Sequence, residues 1–307
     1  MPTRRLNDND LKGINGSTFK RMEELEELWL QDNNITELPP ELFQDLENLQ
    51  ELDLSNNELG NLPSRIFRNI TAVEFLKLDY NKIERLHEDQ FQGLVKLMEL
   101  YLSENKIEAL PDKIFMGVGN LKALDIFGNK IQNISSTTFT YAQELRFFYS
   151  HYNEMRELPA GFFSIMKFLI TATVDTNLMC CHLRKETADC DYAYVDMSSF
   201  SSCETMFRNR APRICLWVFG IMSLLGAVFV IVWRLVFKET KKKNKIQSIM
   251  LIHLAGSDGL MGVYLIIIGV MDAIWAGQFF LHDYYWRSSL SCQITGAIAV
   301  LSSEVSV

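Results

Sequence analysis

Six asparagines, Asn33, Asn57, Asn81, Asn105, Asn129 and Asn153, stand twenty-four residues apart, and this period constrains the fold of the 307-residue chain more than any other feature. Aligned on them, the sequence reads LEELWLQDNNI, LQELDLSNNEL, VEFLKLDYNKI, LMELYLSENKI, LKALDIFGNKI and LRFFYSHYNEM. Ten residues after each asparagine stands a phenylalanine, from Phe43 through Phe67, Phe91, Phe115 and Phe139 to Phe163, and the frame extends back to Asn9 and Phe19. A unit this short cannot enclose a core of its own, so successive units must stack and bury one in common.

The LxxLxLxxNxL pattern resembles that of leucine-rich repeats, which implies an α/β solenoid. Each unit contributes a short strand with its leucines inward, an asparagine that bonds the backbone where the chain turns, and a phenylalanine that fills the convex side. Those positions are structural, so function is sought on the side chains that alternate outward along each strand. They are Glu27, Trp29 and Gln31; Glu51, Asp53 and Ser55; Phe75, Lys77 and Asp79; Glu99, Tyr101 and Ser103; Ala123, Asp125 and Phe127; Phe147, Tyr149 and His151. The carboxylates are opposed only by Lys77, and aromatic rings lie between them. Arginine pairs bidentately with carboxylates and aromatic side chains dominate binding hot spots, so this face suits a basic partner with a few apolar side chains. The acidic face and the formal net charge of −8 disfavour nucleic acid.

Mean hydropathy near zero averages two unlike halves. From Ile214 to Trp233 there are twenty residues without a charge, which is the length a bilayer requires. A second apolar run follows KETKKKNK, and a third begins near Cys292. The basic residues between the first two runs, Arg234, Lys238, Lys241, Lys242, Lys243 and Lys245, place that loop in the cytoplasm and everything before Ile214 outside the cell. Cys180, Cys181, Cys190 and Cys203 then read as two disulfides, with three connectivities open. No CxxC spacing is present and His182 is the only nearby imidazole, which argues against zinc; no metal or cofactor is expected. Sequons at Asn15, Asn34, Asn69 and Asn133 agree with an extracellular location. The expected organisation is a repeat domain over 1–176, a cysteine-rich hinge over 177–212 and a transmembrane part over 213–307, with spans at about 214–236, about 247–272 and from about 290. No HExxH, phosphate loop or nucleophile elbow is present, so no catalytic residues are expected.

Asp258 interrupts the second apolar run, where a carboxylate costs about 2.5–3.5 kcal/mol on insertion scales and should face a bundle interior or water cavity with a partner. LAGSDGLMG resembles the LAxxD element in the second span of rhodopsin-like G-protein-coupled receptors, and Trp286 followed by Cys292 resembles their first extracellular loop and third-span cysteine. With the repeats and the hinge, DGLMGVYLIIIG and SCQITGAIAVLSSEVSV resemble the relaxin receptors most. That resemblance implies a truncated seven-helix receptor in the plasma membrane, in contact with lipid. It implies a basic relaxin- or insulin-like peptide hormone on the concave face, at Trp29, Glu51, Asp53, Asp79, Glu99, Tyr101 and Asp125, and in the full-length receptor a heterotrimeric G protein that drives cyclic AMP. It assigns Asp258 and Ser306 to a sodium-linked switch, and Cys292 to a disulfide with a second extracellular loop that the chain lacks. His253 is expected to pack, and Ala227 stands where the family has an asparagine. The missing later spans, signal peptide and amino-terminal modules are expected of a fragment. The alternative is a membrane-anchored adhesion or decoy protein that does not signal.

Overall fold

The computed structural model describes residues 2–183, 188–195, 201–237 and 242–305, without the side chains of 242–244 and 305. Ser306, Lys238 and Lys241, and the side chains of Lys242 and Lys243, lie outside the described residues. The chain divides into two compact units, Met1–Asp196 and Met197–Val307.

The first unit is built on one parallel sheet of nine strands in sequence order: β1 (Thr3–Arg5), β2 (Glu27–Trp29), β3 (Glu51–Asp53), β4 (Phe75–Lys77), β5 (Glu99–Tyr101), β6 (Ala123–Asp125), β7 (Phe147–Tyr149), β8 (Thr171–Thr176) and β9 (Asp189–Tyr194). The register advances by one repeat per strand, so Leu28, Leu52, Leu76, Leu100, Leu124 and Phe148 form one buried row. Their neighbours on either side form two outward rows, as a side-chain period of two requires. β9 lies in the expected hinge yet pairs with β8, so the sheet runs past the last repeat.

The asparagines hold the stack together. Asn57 donates through Nδ2 to the carbonyls of Leu30 at 3.0 Å and Ser55 at 3.1 Å, and its Oδ1 accepts the Ile35 N–H at 3.0 Å. Asn33, Asn81, Asn105 and Asn129 repeat this pattern. The series closes on Asp175, twenty-two residues after Asn153, whose buried carboxylate accepts the N–H groups of Asn153 at 2.7 Å and Met155 at 3.0 Å. Each carboxylate oxygen takes one of them, Oδ1 the Asn153 N–H and Oδ2 the Met155 N–H. In each unit the residue before the asparagine is left-handed: Asp8, Asp32, Asn56, Tyr80, Glu104, Gly128 and Tyr152 all have φ between 49° and 64°.

Phe43, Phe67, Phe91, Phe115 and Phe139 line the opposite side and are fully buried, with ring centroids 6.1 Å apart for Phe43–Phe67 and 5.2 Å for Phe115–Phe139. Among the described residues of this unit the convex side is made of turns and short 3-10 segments such as Phe162–Ile165, without α-helix. The expected α/β solenoid is therefore corrected to a β-solenoid followed by helices. A strand, a ladder turn and the phenylalanine-bearing turns use up twenty-four residues.

The second unit contains α1 (Arg210–Val236), α2 (Lys242–Ile274), α3 (Phe279–Ser288) and α4 (Leu290–Val305). Of these, α1 and the Lys245–Ile274 part of α2 are long and apolar enough to cross a membrane. Among the described residues a complete seven-helix bundle is not seen. α1 and α2 approach closely through glycine: a Cβ on Gly262 would lie 2.8 Å from the Gly220 carbonyl oxygen and 2.9 Å from the Leu224 nitrogen. Ala227 is buried in the same seam, its Cβ 3.0 Å from where one on Gly259 would stand. The family's asparagine would place a bulkier polar group there. Toward the end of α2 the buried Asp272 accepts the Arg213 Nε–H at 2.6 Å and the Met206 N–H at 3.1 Å.

Candidate ligand-binding face

The parallel register sets Glu27, Glu51, Phe75, Glu99, Ala123 and Phe147 in one outward row and Trp29, Asp53, Lys77, Tyr101, Asp125 and Tyr149 in the next. All seven residues expected to bind ligand therefore share one face, with Asp79 just beyond the end of β4. The face is not uniformly free. Lys77 Nζ sits 2.8 Å from Glu51 Oε1 and 3.5 Å from Asp53 Oδ2, so two of the carboxylates expected to bind ligand already hold a cation. Burial works against the Lys77 ammonium, but the hydrogen bond it donates to Glu51 and the charges of Asp53 and Glu51 leave it above its usual range.

A second internal cation was overlooked in the sequence, although Arg5 stands four residues before Asn9 as Trp29 stands before Asn33. The Arg5 guanidinium lies 4.4 Å from the centroid of the Trp29 ring, so β1 covers the expected aromatic anchor. The carboxylates are thus opposed by Lys77 and flanked by Arg5, not by Lys77 alone. Tyr101 donates its hydroxyl to Glu99, and burial followed by that bond raises the phenol above its ordinary range.

Further along, neither Asp79 nor Asp125 is in a salt bridge among the described residues, though the Lys77 charge still favours the Asp79 carboxylate. Burial, with the charges of Asp53 and Asp125, lifts Asp79 to about 6 despite a backbone hydrogen bond. Asp125 is also raised, by burial first; its Oδ1 accepts the Phe127 N–H at 3.0 Å. Burial lowers the His151 imidazole below its ordinary range against the pull of Asp125 and Asp191, and its Nδ1 is 2.7 Å from Thr173 Oγ1.

Around the face, Asn15, Asn34, Asn69 and Asn133 are all exposed. Cys180 is bonded to Cys190, which selects among the open connectivities, and Cys181 and Cys203 are disulfide-bonded too. Among the described residues no group of His, Cys, Asp and Glu is arranged to hold a metal ion.

In the second unit the expected switch residue is placed otherwise than anticipated. Ser257, not Asp258, is buried in the contact between helices and donates to the Ser302 carbonyl. Asp258 lies about 100° further around the helix and is exposed; its backbone carbonyl accepts Ser223 Oγ–H. No side-chain partner of Asp258 occurs among the described residues, because α1 and α4 occupy other faces of α2. His253, expected to pack, is exposed, and Cys292 is a half-buried free thiol.

A parallel ladder of this period, closed by buried asparagines and phenylalanines, defines a leucine-rich-repeat protein, and residues 5–59, 47–107 and 95–155 match the family model described as "Leucine rich repeat". These repeats are homologous to those of leucine-rich-repeat-containing G-protein-coupled receptors. Over 139 residues, 45% of this chain and 12% of the relative, they are 36% identical to the "G-protein coupled receptor GRL101" of Lymnaea stagnalis. Over 107 residues, 35% of this chain and 14% of the relative, they are 36% identical to "Relaxin receptor 1" of Mus musculus. The "Thyrotropin receptor" of Mus musculus is 31% identical over 108 residues, again 35% of this chain and 14% of that one. The match thus spans about an eighth of the length of these relatives. Among solved structures, the crystal structure of the TLR13–ssRNA13 complex superposes with a TM-score of 0.54 at 25% identity, over 57% of this chain and 24% of that one. The Drosophila Toll–Spatzle complex gives 0.52 at 21% identity, over 64% and 25%, a likeness of fold alone.

Proposed function

We propose that this chain is part of a cell-surface receptor that holds a basic relaxin- or insulin-like peptide hormone on the concave face of its repeats and signals through heterotrimeric G proteins to cyclic AMP. The observation that carries this reading is the register, which gathers Trp29, Glu51, Asp53, Asp79, Glu99, Tyr101 and Asp125 onto one face of a sheet whose repeats are homologous to those of hormone receptors. Two helices long and apolar enough to span a membrane follow in the same chain. In this reading the repeats are extracellular and glycosylated at Asn15, Asn34, Asn69 and Asn133, the chain passes the plasma membrane several times, and Cys292 pairs outside this chain. Asp258, with Ser306, belongs to a switch completed by helices beyond the present ones, which would cover its exposed carboxylate.

The test is relaxin binding to the full chain in lipid nanodiscs. Saturable binding that weakens several-fold as salt rises past about 0.1 M is expected, since exposed charges are screened over a Debye length of about 10 Å. Absence of saturable binding removes the reading. A chimera continued from Val307 into the later spans of relaxin receptor 1 should raise cyclic AMP on addition of relaxin. A silent chimera that binds normally favours a decoy.

A further inference from the structure

Counted from each asparagine of the frame, Asn9 to Asn153, the fourteenth, fifteenth and seventeenth residues lie where the chain enters the next strand, along one edge of the sheet. The strands pair without a shift, so the repeats stack this edge in register. Its chemistry changes from one end to the other. The first three repeats place carboxylates there: Glu23, Glu24 and Glu26, then Glu47, then Glu74. The last three place Lys122, Arg146 and Lys167 there, with Glu144 as the one carboxylate among them. The fourth repeat, in the middle, contributes Val95, Lys96 and Met98, and the last adds Phe168 and Ile170, about half exposed at 51% and 47%. Among the described residues none of these charges is in a salt bridge. None of the four sequons falls on the edge; Asn69, on the preceding turn, comes nearest.

The fold of a single copy gains nothing from keeping the two signs apart. Neighbouring strands lie about 4.8 Å apart, so mixed signs would give each charge an opposite neighbour, and like charges side by side are destabilising. Here like charges do adjoin: the Arg146 N–H donates to the Lys122 carbonyl, and Asn48, next to Glu47, donates its side chain to the Glu23 carbonyl.

We propose that this edge joins two copies of the chain side by side, antiparallel about a two-fold axis at the fourth repeat. A two-fold contact must be self-complementary, each patch meeting its counterpart twice. The edge meets that condition: turned end for end, the first repeat faces the seventh, the second the sixth and the third the fifth. Glu24 then meets Lys167 of the second copy, Glu47 meets Arg146 and Glu74 meets Lys122, each pair formed twice, while Val95 and Met98 meet their own counterparts at the axis. At the acidic end a cleft of about 620 Å³, lined by Arg4, Met22, Glu23, Glu24 and Leu25 among others, opens opposite Phe168 of the second copy. Three residues from each repeat give about twenty a side, the number a standard interface uses. A lipid surface would answer the basic half alone and leave the carboxylates unmatched; a second copy answers both. The outward rows of the concave face are not part of this edge, so the dimer leaves them open and does not depend on what binds there.

The test is a charge swap, read by sedimentation velocity on the detergent-solubilised full chain. The unaltered chain is expected to show a monomer–dimer equilibrium whose Kd rises several-fold as salt passes about 0.1 M. Glu24→Lys with Glu47→Lys makes both ends of the edge basic, and Arg146→Glu with Lys167→Glu makes both ends acidic. Each double variant alone should dimerise at least about tenfold more weakly, because like charges then face each other at both ends. An equimolar mixture of the two should form a heterodimer within about threefold of the original Kd, which also shows that both variants are folded. A chain that stays monomeric, a dimer that survives both reversals, or two monomeric variants that do not associate when mixed each overturns the proposal. A monomer whose Lys122 and Lys167 are shielded from amine acylation only in lipid nanodiscs assigns the basic half to the membrane and overturns it too.

Discussion

Lys77 Nζ lies between Glu51 Oε1, at 2.8 Å, and Asp53 Oδ2, at 3.5 Å, so one lysine on β4 occupies the pair of carboxylates on β3 that a basic ligand would seek. Removing it should change binding more than folding. Lys77→Met is expected to tighten relaxin binding several-fold, as two carboxylates become available to the ligand's arginines. It should alter unfolding free energy by no more than about 1 kcal/mol, the range of partly exposed ion pairs. Titration calorimetry beside urea denaturation checks both, and an unchanged affinity would mean that the ligand does not reach β3.

Asp79 gives the repeats a defined pH dependence. Its folded pKa of about 6 is above the ordinary 3.8, so between these values the folded state binds more protons than the unfolded one. Stability from this group therefore grows as pH falls from above 6 toward 4, and diminishes as pH rises through 6. Asp79→Asn should raise Tm at pH 7.5 and leave it nearly unchanged at pH 4.5. Scanning calorimetry at the two pH values reads the difference, and an equal shift at both would contradict the assignment.

The ladder makes a sharper claim about stability. Asn105 donates to the carbonyls of Leu78 at 3.0 Å and Leu102 at 3.1 Å, and accepts the Ile83 N–H at 3.0 Å, all buried. Asn105→Ala leaves several of those groups without partners, at about 1–3 kcal/mol for each. A loss of at least about 3 kcal/mol in urea denaturation is expected, and a loss below about 1 kcal/mol would mean that water replaces the side chain.

In the helices, Gly262→Leu is expected to force α1 and α2 apart, because any Cβ would stand 2.8 Å from the Gly220 carbonyl oxygen. Detergent-solubilised protein should lose several degrees of Tm and cross-link less between cysteines introduced on the two helices. Unaltered cross-linking would show that the close approach is dispensable.

The repeat frame was legible because its signal is redundant: a leucine row, an asparagine and a phenylalanine recur together, and any one of them fixes the register of the other two. The residues that end the pattern were not. Asp175 comes twenty-two residues after Asn153, so a search at twenty-four passes over it, although it satisfies the last two N–H groups of the ladder. β9 carries no repeat signature and is recognised only by its pairing with β8. The carboxylate at Asp258 was legible as an anomaly, but its direction was not, since adjacent positions on a helix point about 100° apart and Ser257 takes the packed one.

By itself the sequence determined the solenoid, its period, which rows of side chains face outward and which segments are apolar enough for a membrane, because each of these follows from a spacing along the chain. Only the tertiary structure decided which of the outward charges are free. Coulomb attraction and ring contact act over a few ångströms, and the residues that share those ångströms, Lys77 with Glu51, Arg5 with Trp29, and Phe127 with His151, stand twenty-four or so positions apart until the strands stack.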